Sequence, residues 1–125
     1  MQELIKGIGN DIIETKRIKE TIDRYQAHFL NRVFTTKEQD YCLKFSNSFI
    51  HFAGRHAAKE AIAKALGTGI GEKISWLDLE ILNDSLGKPS IIFSDKVKTN
   101  FHNPQILLSI SHCKEYAIAT AIWKS

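Results

Sequence analysis

Apolar residues recur with two different periods along this chain. Between Leu4 and Glu14, Ile8, Asn10 and Ile12 point one way and Gly7, Gly9 and Asp11 the other, which predicts a β-strand. Thr15 to about Asp23 is polar except for Ile18 and Ile22, four apart, and predicts a short amphipathic helix. Ala27 to Phe34 predicts a further turn of helix. Thr35-Thr36-Lys37-Glu38 supplies an N-cap and a first-turn carboxylate for a helix running to about Phe45, with a break over Asn47 to Phe49. Ile50 to Leu66 is the strongest helical segment, rich in alanine and stopped by Gly67. Thereafter the period is that of strands. Ile74 to Asn83 and Pro89 to Phe93 flank the turn Asp84-Ser85-Leu86-Gly87-Lys88. Ile106 to Ser111 and Tyr116 to Trp123 flank His112-Cys113-Lys114-Glu115, and Asn103-Pro104 marks a loop between the two hairpins. Helices early and strands late make an α+β fold, and 125 residues fit a single domain spanning 1–125.

Composition narrows the class only a little. Hydrophobic residues are 43% and charged residues 25%, as in soluble globular proteins, and the net charge of +3 favours acidic partners without forming a dense basic patch. Cys42 and Cys113 have no metal-binding spacing and read as reduced thiols of a cytoplasmic protein. The first residues lack the shape of a signal peptide, and no apolar run approaches the ~18 residues of a membrane span.

Three segments carry more polar chemistry than a core requires. In Gly7-Ile8-Gly9-Asn10-Asp11-Ile12-Ile13-Glu14, an acid interrupts an apolar strand, where it needs a partner or a cation unless it sits at an exposed strand end. In Arg55-His56-Ala57-Ala58-Lys59-Glu60-Ala61 running on to Lys64, helical spacing puts His56, Glu60 and Lys64 on one face, with Arg55 and Lys59 as a second stripe. A solvated Glu60–Lys64 pair is the plain alternative. The flexible Gly67-Thr68-Gly69 beyond this helix offers backbone N–H groups to phosphate oxygens, although it lacks the P-loop pattern. Ser109-Ile110-Ser111-His112 puts two serines on one strand face beside a histidine, without the elbow of a serine hydrolase.

In this order the three segments, with Gly87-Lys88-Pro89 and Tyr116-Ala117, resemble the small holo-acyl-carrier-protein synthases, a branch of the 4′-phosphopantetheinyl transferases. The resemblance covers nearly the whole chain. It implies helices packed on a curled antiparallel sheet, assembled as a homotrimer with coenzyme A in clefts between subunits. The implied reaction moves phosphopantetheine from coenzyme A to a serine of acyl carrier protein. By the same resemblance Asp11 and Glu60 hold Mg²⁺, a hard ion suited to carboxylates and phosphate oxygens. Lys64 contacts the phosphates near the reacting centre, and Asp11, Glu60 and Lys64 form the catalytic set. Arg55, Gly67, Thr68, Gly69 and His112 match positions near the nucleotide. Arg17, Phe29, Arg32 and His56 match the surface that docks the acidic carrier. Where His56 stands the family usually has phenylalanine, so docking sensitive to pH near histidine's ordinary pKa of ~6.5 is one expectation. Two rival readings are a nucleic-acid module using the Arg55/Lys59/Lys64 face, and a hydrolase of nucleotide diphosphates.

Overall fold

The computed structural model describes residues 4–125. Strand β1 (Ile5–Glu14) passes directly into helix α1 (Thr15–Tyr25), followed by α2 (Ala27–Val33), α3 (Thr36–Cys42) and the long α4 (Ser48–Ala65). The second half comprises β2 (Leu79–Asn83), β3 (Pro89–Phe93), α5 (Asp95–Asn100), β4 (Gln105–His112) and β5 (Tyr116–Lys124). The α+β arrangement follows the change of hydrophobic period, with three local departures.

The capping box at Thr35 forms as its spacing predicts. Glu38 N donates to the Thr35 hydroxyl at 3.3 Å, and Thr35 N donates to the Glu38 carboxylate at 2.8 Å. The helix it opens stops at Cys42, however, and the break falls over residues 43–47, so that Ser48 and Phe49 already belong to α4. Phe45, freed from α3, stacks on His51 of α4 with ring centroids 3.7 Å apart. The strand expected from Ile74 begins only at Leu79. The Asp78 carboxylate accepts from both the amide and the hydroxyl of Ser75, each at 2.8 Å, and winds Trp76–Asp78 into a 3₁₀ turn. Helix α5 was not expected, and its signal is a short one: Ser94 caps it by accepting from Val97 N, with Asp95 in the first turn.

The strands form two antiparallel sheets, one ordered β1-β5-β4 and one the hairpin β2-β3. Helix α4 lies across the inner face of the three-stranded sheet, and its Ala57, Ala58, Ala61, Ala63 and Ala65 are all buried. Small side chains permit a close approach, and β1 takes it to the limit. A Cβ at Gly7 would stand 2.0 Å from the Ala65 carbonyl oxygen, and one at Gly9 would stand 2.2 Å from that of Ala61. Strand and helix therefore touch backbone to backbone, which is why glycine alternates on that face of β1.

The second feature that ties the fold together is a buried ion pair. Lys59 and Glu38 are both 0% exposed and lie 2.7 Å apart. Lys59 Nζ also donates to the Val33 carbonyl at 2.7 Å and the Trp76 carbonyl at 3.0 Å, while Glu38 accepts from Ile81 N at 2.8 Å. Burial pulls the Lys59 ammonium down from its ordinary range, and Glu38 opposes that pull. With three acceptors around the ammonium and three donors around the carboxylate, the pair connects the end of α2, the start of α3, the middle of α4, the 3₁₀ turn and β2.

Two substitutions test these joints. Lys59→Met leaves Glu38 without its counter-charge and two carbonyls without this donor in the core, and should cost about 3–5 kcal/mol of unfolding free energy in urea denaturation. A loss below about 1 kcal/mol, the worth of an exposed pair, would contradict the hub. Gly9→Ala drives a methyl into the α4 backbone and should cost at least ~2 kcal/mol by the same measurement, whereas an unchanged midpoint would show that β1 and α4 separate freely.

Candidate active site

The close approach of β1 and α4 decides which polar groups meet. Asp11 follows Gly9 by two residues on the same face of β1, so its side chain also projects toward α4. Lys64 Nζ reaches it at 3.1 Å and donates as well to the Asn10 carbonyl at 3.0 Å. Lys64 thus pairs with Asp11 across the strand–helix contact, not with Glu60 on its own helix as the plain surface-pair reading had it. Glu60 remains electrostatically coupled to both. Its carboxyl is raised above its ordinary pKa first by partial burial and then by the Asp11 charge, with Lys64 opposing. Two acids 49 residues apart in sequence therefore share one field.

Such a pair is suited to a divalent cation. The donors are carboxylate oxygens, the mutual repulsion raising Glu60 is what a bound cation relieves, and the Lys64 ammonium already occupies one cationic position beside Asp11. Among the described residues no group of three or more His, Cys, Asp or Glu side chains gathers as a metal site. Two carboxylates without imidazole or thiolate fit Mg²⁺, which keeps waters and takes phosphate oxygens, better than zinc.

Glu60 also lines a cavity of about 560 Å³ together with Arg32, Ile70, Gly71, Ser75, Trp76 and Leu77. Arg32 is shared with a second depression of about 390 Å³ between α1 and α2, formed with Thr21, Tyr25, His28 and Phe29. The expected docking residues Phe29 and Arg32 are thus neighbours, and their surface runs into the Glu60 cavity. Arg17 is exposed on α1, outside the lining of either cavity. His56 lies close to the wall of the Glu60 cavity, on Trp76. Its ring packs on Trp76 at 4.8 Å, and burial pushes its pKa down to about 4, against a partial pull upward by Asp11. It is neutral throughout the physiological range, so pH-sensitive docking near its ordinary pKa does not follow.

Two further expectations are corrected. The Gly67-Thr68-Gly69 amides are not free for phosphate: Gly67 N donates to the Lys64 carbonyl, and Thr68 N and Gly69 N both donate to that of Ala63. Gly67 and Gly69 supply the positive φ values, 88° and 67°, that let the turn fold back over the helix end. The Arg55/Lys59 stripe is not a solvated face either, since Arg55 is 4% and Lys59 0% exposed. A nucleic-acid surface built on Arg55, Lys59 and Lys64 loses two of its three members to the core.

Arg55 instead lines a cavity of about 200 Å³ with Tyr41, His51, Gly54, Asn83, Gly87, Pro89, Ile110 and His112. The expected nucleotide residues Arg55 and His112 do come together here, beside the Gly87–Pro89 turn. Tyr41, His51 and Asn83 escaped the sequence reading. His51 was within reach, because it stands one helical turn before Arg55. Asn83, whose Oδ1 accepts from Arg55 Nη2, comes from a strand 28 residues away and left no local signal.

The chain is similar to known proteins over nearly its whole length. The 4′-phosphopantetheinyl transferase superfamily matches residues 7–121. The holo-[acyl-carrier-protein] synthase of Protochlamydia amoebophila is 56% identical over 119 residues, 95% of this chain and 98% of that protein. That of Chlamydia pneumoniae is 50% identical over 92% of this chain and 93% of its own length. Among solved structures, the Bacillus anthracis holo-(acyl-carrier-protein) synthase in complex with CoA (3′,5′-ADP) superposes with a TM-score of 0.85 at 42% identity, covering 98% of this chain and 99% of that one. The Neisseria meningitidis holo-[acyl-carrier-protein] synthase superposes with a TM-score of 0.89 at 30% identity, covering 98% and 100%. Matched by the family over residues 7–121 and similar to these synthases over nearly its whole length, the chain belongs to the 4′-phosphopantetheinyl transferase superfamily.

Proposed function

We propose that this protein is a holo-acyl-carrier-protein synthase, transferring 4′-phosphopantetheine from coenzyme A to a serine of apo-acyl carrier protein. The observation that carries the reading is the convergence of Asp11, Glu60 and Lys64 where β1 crosses α4. The similarity to named synthases over nearly the full length of both chains supports it. The unit of function is one domain over residues 1–125, acting in the cytoplasm on soluble substrates.

Asp11 and Glu60 would hold Mg²⁺ against the diphosphate of coenzyme A. Bound there, the ion supplies charge neutralisation to the non-bridging and leaving oxygens. The chain's own groups do the rest. The carrier serine oxygen forms a bond to the β-phosphorus while the bond from that phosphorus to the bridging oxygen breaks, releasing adenosine 3′,5′-bisphosphate. Glu60, directly or through a metal-bound water, would take the serine proton. Lys64, anchored on the Asn10 carbonyl, offers its remaining protons to phosphate oxygens. Arg55 and His112 receive the nucleotide end in the smaller cavity. Arg17, Phe29 and Arg32 offer a cationic and apolar surface to the acidic carrier, with His56 behind it as a neutral ring against Trp76.

The outer face of the β1-β5-β4 sheet supports a homotrimer. In register across the sheet, Ile8, Ile122 and Leu107 form one row and Ile12 and Ile118 another. Ile8 is 68% and Ile12 65% exposed in the single chain. An apolar face of this kind on one side of a sheet is best covered by other copies of the chain.

The decisive test is intact mass of apo-carrier after incubation with the protein, coenzyme A and magnesium. One added phosphopantetheine is expected, and its loss by at least ~100-fold in rate in Asp11→Ala and Glu60→Ala. Unchanged rates in both variants would contradict the site. Free phosphopantetheine released without carrier would favour the hydrolase instead. Stability should move the other way. Because the folded state raises the Glu60 pKa, folding costs free energy at pH values above it and the penalty fades as pH falls through it. Glu60→Gln should therefore raise Tm near pH 7.5 in metal-free buffer, and a lower Tm would show that Glu60 repels nothing.

A further inference from the structure

The 200 Å³ cavity between α4, β4 and the β2–β3 turn contains a cation without a counter-ion. Arg55 is 96% buried, being 4% exposed, and its Nε has no hydrogen-bond partner. Nη2 donates to Asn83 Oδ1, and the guanidinium lies 4.1 Å over the Tyr41 ring. Among the described residues no carboxylate stands within ion-pair distance of it. A buried guanidinium left this way is costly, and the cost is offset when an anion enters the cavity.

Two imidazoles border the same space. His112 ends β4, and His51 lies on α4 one turn before Arg55, with 5.3 Å between the two ring centroids. His51 is held in place by stacking on Phe45 and by an edge contact with Tyr41 at 6.2 Å. A ring fixed on both flanks and turned to a cavity already containing Arg55 has few roles beyond donating to an anion. We propose that His51 is a specificity-determining residue for the phosphomonoester of the donor nucleotide, completing with Arg55 and His112 a three-donor seat that takes up a proton as the dianion binds. This assignment rests on the reading of the chain as a transferase that uses coenzyme A.

The surroundings of His51 account for the proton. The charged or titratable groups facing it are Arg55 from its own helix, His112 from β4 and the Tyr41 hydroxyl from α3, while Asn83 from β2 and Phe45 are uncharged. Partial burial first, then His112 and Arg55, hold it below its ordinary pKa, so it is neutral at pH 7.5 when the cavity has no anion. A phosphate dianion beside the ring supplies the negative charge that favours its protonated form. Affinity should consequently rise as pH falls from about 8, until the phosphate takes its own second proton near pH ~6.

Calorimetric titration separates this seat from the rest of the site. The probes are adenosine 3′,5′-bisphosphate and adenosine 5′-monophosphate, each in two buffers of different ionisation heat near pH 7.5. The intact protein should bind the bisphosphate with net proton uptake. His51→Phe, which keeps the stack on Phe45, and His51→Gln should each weaken bisphosphate binding about tenfold, the worth of one charge-assisted hydrogen bond, and reduce the uptake. Binding of the 5′-monophosphate should not change, and in turnover KM for coenzyme A should rise with kcat steady. Unaltered bisphosphate affinity and uptake in both variants would overturn the proposal, as would an equal loss for both nucleotides. If the intact protein transfers phosphopantetheine but does not distinguish the two nucleotides, the seat fails while the transferase stands. If it binds neither nucleotide, both fail.

Discussion

Everything at this site depends on the absence of two side chains. Gly7 and Gly9 let β1 lie against the carbonyls of Ala65 and Ala61, closer than any Cβ permits. At that separation the next inward residue on the strand, Asp11, falls within reach of Lys64, and its charge acts on Glu60. A side chain at either glycine would hold the strand off α4 and carry Asp11 away from Lys64 and Glu60. The alanines of α4 and the glycines of β1 are thus the geometric condition for the chemistry.

The buried Lys59–Glu38 pair plays a complementary part. It sits one residue from Glu60 but faces the other way, into the core, where it gathers the carbonyls of Val33 and Trp76 and the amide of Ile81. Those segments bear Arg32 and Trp76, which wall the Glu60 cavity. The helix therefore separates two kinds of charge. Lys59 and Glu38 are satisfied internally and fix structure, whereas Glu60, Lys64 and Arg55 are left with unspent electrostatic capacity, as a site for an anionic donor and a cation requires.

Much of this was legible in the sequence where it depended on local spacing. The alternation of Gly7, Gly9 and Asp11 on one strand face, the Thr35–Glu38 box and the stop at Gly67 all appear where their periodicity puts them. What failed was non-local or competitive. The partner of β1 is β5, more than 100 residues on, and nothing in either strand specifies it. Lys59 looked like a surface stripe because its counter-ion is 21 residues away, and Lys64 looked paired with Glu60 because Asp11 was out of view. The Gly67–Gly69 turn offers amides suited to phosphate by sequence alone, but helix-end carbonyls claim them first. Helix α5 rests on a single serine cap and the 3₁₀ turn on the Asp78 carboxylate, signals too short to outweigh the strand-like residues around them. His56 illustrates the same limit, since the Trp76 ring it packs against lies 20 residues on and leaves no local signal.

The central claim is that Asp11 and Glu60, 49 positions apart, serve one ion. The most direct measurement is a crystal structure with coenzyme A and Mn²⁺, with the ion located by its anomalous scattering. The account predicts a single peak within about 2.0–2.3 Å of a carboxylate oxygen from each acid and of the donor's diphosphate, with Lys64 Nζ moved from Asp11 to a phosphate oxygen. A peak held by only one of the two acids, or by neither, would contradict it.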